Sequence, residues 1–171
     1  MFHIELMFFY RMIRTVTTAD APVIADIYNG YIASSTATFE TEHVSVDEMT
    51  RRIGDISARF PYFVWTEQGR VLGYCYAHPW KKRAAYCNTW ETTIYLHESA
   101  FRRGIGRQLM QRLIAECRRL GAHALIACIT AENEPSIAFH QSLGFRKVSH
   151  FREVGRKFHR WLDVDDLELL L

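Results

Sequence analysis

The sequence lacks a CxxC pair, an HExxH motif and any apolar run approaching the ~18 residues that a membrane-crossing helix needs. Its four cysteines, Cys75, Cys87, Cys117 and Cys128, show no metal-ligand spacing, and three of them sit in apolar runs. They read as reduced core residues of a cytosolic protein, not as a disulfide or zinc frame. The eight histidines are scattered, so no metal site is expected. No charge of one sign dominates either. Lys and Arg number 21 against 19 Asp and Glu, a net charge of +2, which excludes a strong pull towards nucleic acid or a lipid surface. RRGIGR and Arg118-Arg119 are too few and too dispersed for a groove-binding stripe. Repeats, low-complexity segments and linkers are also missing. What is present is ordinary for a globular chain: 171 residues, 49% hydrophobic and 23% charged. That length suits one domain burying roughly 70% of its unfolded surface. The first twelve residues, MFHIELMFFYRM, have neither the basic segment nor the small-residue cleavage site of a signal peptide. They read as an extension, residues 1–12, ahead of a domain spanning 13–171, and Met12 is an alternative start.

The most informative stretch is Glu91–Leu120. A β-branched and aromatic run (Thr92, Thr93, Ile94, Tyr95, Leu96) is followed by a polar turn and then by Arg102-Arg103-Gly104-Ile105-Gly106-Arg107. Ile105, Leu109, Met110, Leu113, Ile114, Cys117 and Leu120 then recur at spacings of three and four, so a helix is predicted, and Gly121 stops it. Strand, glycine-bearing turn and helix together aim backbone N–H groups and a helix dipole at one point, an arrangement suited to a phosphate. Two glycines let the backbone approach the ligand. A P-loop is excluded, because the residue five after Gly104 is Leu109. A dinucleotide fingerprint fails because the third glycine is missing. The competing reading of the hexapeptide by itself is a helix N-terminus whose arginines face solvent.

In chain order, Ile13–Val16 is a strand. Asp20, with Pro22 in the first turn, opens a helix carrying Val23, Ile24, Ile27 and Tyr31. Ser34–Thr41 is a loop. Ser45-x-x-Glu48 is a capping box for a second helix to about Ala58. Phe63–Thr66 and Val71–His78 form a hairpin about Glu67-Gln68-Gly69. Pro79–Asn88 is a basic, aromatic loop. After the Glu91–Leu120 unit, Ala124–Thr130 is a buried strand. Asn133-Glu134-Pro135-Ser136 begins a fourth helix, Ser136–Leu143, closed by Gly144. Phe145–Val148 is a strand, Phe151–Lys157 is turn-like, and Phe158–Leu169 is the last strand.

The order β-α-α-β-β-β-α-β-α-β-β and the glycine turn resemble the GCN5-related N-acetyltransferases. Their pyrophosphate loop is written Q/R-x-x-G-x-G/A, and its first position falls here on Phe101, a departure from the pattern. Five further stretches resemble one subfamily, the phosphinothricin and methionine sulfoximine N-acetyltransferases. These are Ile27–Asn29, Thr36–Glu42, Glu91–Leu96, Ala131–Asn133, and Val154–Phe158 with Arg160–Asp163, so that the likeness covers residues 13–169. The resemblance implies an α/β (α+β) acyl-CoA N-acyltransferase fold, a mixed, mostly antiparallel sheet flanked by helices, with acetyl-CoA as cosubstrate and no metal.

It further implies roles for particular residues. Amides of Arg102, Arg103, Gly104, Ile105, Gly106 and Arg107 would hold the pyrophosphate. Ile94, Tyr95 and Leu96 would pair with the pantetheine arm, and Asn133 and Ser136 would complete the cofactor site. Glu91 matches the catalytic glutamate. His140 stands where the wider family often has a tyrosine acid, with packing beside the cofactor as its alternative. Phe39, Glu40, Lys81, Arg83 and Tyr86 are the expected substrate contacts, since an amino-acid-like acceptor asks for cations and aromatics, while Trp80 reads as packing. Transfer is expected by direct attack; the alternative, an acetyl-cysteine at Cys87, lacks a legible histidine partner. The acceptor expected is a small amino-acid analogue of the phosphinothricin or methionine sulfoximine type. Alternatives are a protein or peptide amine and a non-catalytic acyl-CoA-sensing module. The same resemblance implies a homodimer, and the cysteine pattern a cytoplasmic protein.

Overall fold

A computed structural model describes residues 11–171. Residues 1–10 of the expected extension lie outside the described residues, while Arg11 and Met12 belong to the first strand. β1 (Arg11–Thr15) leads into α1 (Ala21–Ser34) and α2 (Val46–Ser57), followed by β2 (Tyr62–Glu67), β3 (Arg70–Pro79) and β4 (Thr89–Leu96). Then come α3 (Ile105–Arg119), β5 (Ala124–Thr130), α4 (Glu134–Gln141), β6 (Arg146–Lys157) and β7 (Arg160–Leu170). The sheet runs β1-β2-β3-β4-β5-β7-β6, with β4–β5 as its one parallel pairing.

Local chemistry explains the elements. Ser45 Oγ accepts from the Glu48 N–H at 3.1 Å and starts α2. Only half of the expected box forms, because the Glu48 carboxylate turns to Arg51 and Arg52 instead. Leu109, Met110, Leu113 and Cys117 of α3 are fully buried, as their spacing requires. Complete burial of each large side chain contributes about 1.5–3 kcal/mol. Tyr62–Trp65 of β2 form an unbroken apolar and aromatic run because both faces are covered. Tyr62 and Val64 join the α1–α2 layer, and Phe63 and Trp65 join the α3 layer.

Two expectations need correction. Phe151–Lys157 is not a turn. It continues β6, whose register against β7 shifts between Lys147 and Ser149 and again between Phe151 and Gly155, with Glu153 at a φ of 55°. Bulges of this kind interrupt the alternation from which a strand is recognised. Nor are all four cysteines core residues: Cys75 and Cys117 are buried, whereas Cys87 lies at the surface and Cys128 opens onto a cavity.

The feature that makes the site is where a ladder stops. β4 pairs with β3 along its length, from Pro79↔Trp90 to Gly73↔Leu96. Its pairing with β5 covers only Thr89–Glu91 against Ala124–Ile126. Beyond Glu91 the two parallel strands diverge, and among the described residues no strand pairs with the second backbone edge of Thr92–Leu96.

Candidate active site

A cavity of about 980 Å³ opens where β4 and β5 part. Glu91, the last β4 residue in the ladder, lies at the fork and lines it. Burial pushes its carboxyl above the ordinary range. His78 and a hydrogen bond from the Cys128 thiol pull it down, and Asp166 adds to the rise. His78 is Glu91's direct cross-strand partner, with Nε2 3.8 Å from Oε1. The Cys128 thiol is itself pushed well up, by burial and by the Glu91 and Asp166 carboxylates, and stays protonated at neutral pH.

At one end of the cavity is the glycine turn. Gly104 caps α3 with a φ of 75°, and Arg102 stands at 58°. A left-handed position at the cap is one that glycine takes without cost. A Cβ on Gly106 would lie 3.3 Å from Leu96 and 3.5 Å from the Phe139 ring, so the missing side chain allows this close packing. The first N–H groups of α3 have no intrahelical acceptor. Arg102, Gly106 and Phe101 line the cavity. Arg103, Gly104, Ile105 and Arg107 do not. Arg103 donates to Glu67 and to the Ser99 carbonyl, Arg107 donates to Ser142, and Ile105 is buried.

Along the middle, Ile94, Tyr95 and Leu96 present the open β4 edge, facing Asn133, Ser136 and His140. Asn133 caps α4 by accepting from the Ser136 N–H at 3.2 Å, which leaves its side-chain NH₂ available. His140 is buried between the rings of Phe139 and Phe145. Its Nδ1 lies 2.8 Å from the Ser136 carbonyl. A carbonyl only accepts, so Nδ1 carries the proton of the neutral ring and Nε2 is bare. Burial lowers the imidazole pKa and favours that neutral form.

The loop after α1 (Thr36, Ala37, Thr38, Phe39) also walls the cavity, together with Tyr28, Tyr76 and Tyr31, whose hydroxyl donates to the Leu96 carbonyl at 2.8 Å. The β6–β7 hairpin pins this loop. Buried Lys157 donates to the carbonyls of Ser35 at 2.7 Å and Thr38 at 2.8 Å, and the Phe39 ring lies on Gly155. Glu40 is not at the cavity; it accepts from Tyr28 at 3.0 Å and from Arg52 at 2.7 Å. Lys81, Arg83 and Tyr86 are also absent from its lining. Their loop folds on itself instead. The Lys81 ammonium lies 3.8 Å from the centroid of Trp80, whose ring meets Tyr86 edge-on. Of the expected substrate contacts, the structure brings Phe39 alone to the site.

Sequence reasoning missed Tyr28, Tyr31 and Tyr76, which read as helix or strand apolar positions, and Cys128, which read as core. It also missed His78, which read as the last residue of a strand, directly before the predicted basic loop. Among the described residues no three His, Cys, Asp or Glu are placed to hold a metal, and no helix is long and apolar enough to cross a membrane.

The comparisons agree with this geometry. The family described as Acetyltransferase (GNAT) domain matches residues 13–164. The chain is 36% identical over 163 residues to the L-amino acid N-acyltransferase MnaT of Escherichia coli K12, covering 93% of each. It is 36% identical over 152 residues to the phosphinothricin N-acetyltransferase of Streptomyces viridochromogenes, covering 89% of this chain and 83% of that one. The structure of yncA, a putative acetyltransferase from Salmonella typhimurium with its cofactor acetyl-CoA, superposes with a TM-score of 0.92 at 34% identity, covering 95% of this chain and 94% of the other. The fork at Glu91, the glycine turn at the head of α3 and the match over residues 13–164 lead to one conclusion: the chain belongs to the GNAT acetyltransferase family and is an acetyl-CoA-dependent N-acetyltransferase.

Proposed function

We propose that the protein acetylates the α-amine of a small amino-acid analogue, of the phosphinothricin or methionine sulfoximine type, by direct attack with both substrates bound. The observation that carries this reading is the Glu91 carboxylate, half-buried at the β4–β5 fork with its pKa raised. An amine arrives largely protonated at neutral pH and must lose a proton before it attacks. A carboxylate whose burial has raised its affinity for protons is suited to take it.

The residues present fit acetyl-CoA. An unpaired strand edge in a cleft accepts an extended amide-bearing arm as it would another strand. Ile94, Tyr95 and Leu96 would hold that arm, Asn133 would offer its side-chain NH₂, and the head of α3 from Arg102 to Arg107 would hold the pyrophosphate through backbone amides. When bound, acetyl-CoA supplies the activated acetyl thioester. A backbone N–H aimed at its carbonyl is worth about 3 kcal/mol in comparable sites. His140 is assigned a packing and positioning role, because its neutral ring has no proton on Nε2 to give. Cys87, the candidate for an acetyl-cysteine, does not line the cavity, and the Cys128 thiol that does is held protonated, which favours direct attack.

Tyr28, Phe39 and Tyr76 make an acceptor wall suited to a small molecule. A basic peptide would favour an acidic groove, yet Glu91 is the sole carboxylate among the described cavity-lining residues. A sensing module would need Asn133 and the glycine turn to hold the cofactor but not the Glu91 carboxylate at the fork. A homodimer is supported by exposed Val148, Phe151, Val154, Phe158 and Trp161 along the β6–β7 hairpin, and a cytoplasmic location by the four free thiols. The test is thiol release from acetyl-CoA across a panel of amino acids and analogues, with Glu91→Gln in parallel. Turnover of a small amino acid analogue that Glu91→Gln abolishes is expected; turnover of no small amine would overturn the reading.

A further inference from the structure

A base that takes a proton in every cycle must also release it. Glu91 lies at the bottom of a fork, with its side chain 26% exposed. The ionisable groups facing it are His78 and Tyr76 from β3, Cys128 from β5 and Asp166 from β7. The Cys128 thiol and the Tyr76 phenol are both held protonated by burial, and neither accepts a further proton near neutral pH. The Asp166 carboxylate faces the Cys128 thiol as well. His78 differs from all of these. Its Nδ1 lies 3.1 Å from the Pro79 carbonyl, which can only accept, so the neutral ring carries its proton there. Nε2 is left with a bare lone pair, and it is the nitrogen that faces Glu91 Oε1 at 3.8 Å. The direct cross-strand pairing and the neighbouring Tyr76 ring, 5.8 Å away between centroids, fix that direction. The His78 side chain is 30% exposed, so the ring meets water as well as Glu91.

We infer that His78 is a positioning residue for the base: it relays the amine proton from Glu91 to solvent. This inference rests on the reading of Glu91 as general base. The amine N–H bond breaks as a Glu91 O–H bond forms. That O–H bond then breaks as Nε2–H forms, and the imidazolium gives the Nε2 proton to water. The two residues end as they began, and no electrons change hands. The gap of 3.8 Å closes by a small side-chain rotation or through one water, and imidazole exchanges protons readily near neutral pH. While protonated, His78 also holds the adjacent carboxylate ionised, ready for the next amine.

The experiment measures kcat and KM against pH for the full-length enzyme, with acetyl-CoA and the best acceptor of the panel. It compares wild type, His78→Phe, His78→Gln and Glu91→Gln, with and without added imidazole; the glutamine variant serves if the phenylalanine one folds poorly. Both His78 variants are expected to lose about tenfold in kcat near neutral pH with little change in acceptor KM. Their acid limb should move to higher pH, and imidazole should restore several-fold of the loss. If Glu91→Gln is inactive while both His78 variants keep the wild-type kcat and pH profile, the relay is wrong and the base stands. If Glu91→Gln is as active as wild type, the reading of Glu91 falls and the relay with it. A rise in acceptor KM with no kcat loss and no imidazole rescue would make His78 a binding residue and overturn the relay.

Discussion

Substituting Gly155 by alanine tests whether the β6–β7 hairpin shapes the acceptor end of the cavity. A Cβ at this position would lie 1.9 Å from Phe39 Cε2, 2.5 Å from Cζ and 2.6 Å from Cδ2. Carbon atoms rest about 3.5–4.0 Å apart, so the ring must retreat by roughly 1.6–2 Å. Phe39 can do so, because it is 38% exposed and solvent lies on its free side. The fold should therefore survive, at a cost near the lower end of the about 1–3 kcal/mol typical of overpacking. The cavity wall, however, moves with the ring. An acceptor contact weakened by about 1–2 kcal/mol lowers kcat/KM for the acceptor roughly five- to thirty-fold. The KM for acetyl-CoA, whose proposed residues are elsewhere on β4, α3 and α4, should not change. Steady-state kinetics of Gly155→Ala, Phe39→Ala and the double variant complete a cycle. With Phe39 already truncated, the added methyl meets open space, so its effect should fall below about twofold. Equal damage from Gly155→Ala in both backgrounds would refute the reasoning.

Glu91→Gln should lower kcat/KM by about 10²–10⁴, the usual worth of a general base, in the thiol-release assay. The same variant should melt higher than wild type at pH 7. A carboxyl whose folded pKa is raised contributes stability below its unfolded value, about 4.3, and loses it as pH rises through the folded value, so the difference should close towards pH 4. Asp20 has the opposite sign. Burial alone would raise its pKa, but hydrogen bonds from Arg14 and Thr17 hold it below the usual range. Its stabilisation is present above about pH 3.9 and lost as pH falls through the folded value; Asp20→Asn should cost about 1–3 kcal/mol at pH 7 by chemical denaturation, and less in acid. His140→Phe should keep kcat within about tenfold, since the neutral ring has no Nε2 proton to donate; a loss of 10²-fold or more in a folded variant would restore the acid role.

Features set by neighbours along the chain were legible in the sequence. Gly104 and Gly106 before a row of apolar residues spaced by three and four specify the turn and α3 whatever surrounds them. Ser45 specifies the start of α2, and Asn133 the start of α4, because caps act within one helical turn. Glu91 was legible through its place at the head of a β-branched strand and through a family likeness carried by several separate motifs. The bulged β6 was not legible, since each register shift breaks the alternation that marks a strand.

Tertiary structure decided the rest, because it depends on register between segments distant in sequence. Nothing local to Glu91 says that its ladder with Ala124–Ile126 ends there, yet that ending opens the cavity. His78 meets Glu91 only through the β3–β4 register, and Cys128 leaves the core because β5 diverges from β4 beyond the fork. Lys157 reaches the Ser35 and Thr38 carbonyls from about 120 residues away. Lys81 shows the converse. Its sequence suited an acidic acceptor group, but cation–π contact with Trp80 keeps the charge in its own loop, an alternative to the cavity that composition cannot weigh. The sequence by itself thus determined the elements other than the bulged β6, and the family; the pairing of strands determined which side chains share a cavity.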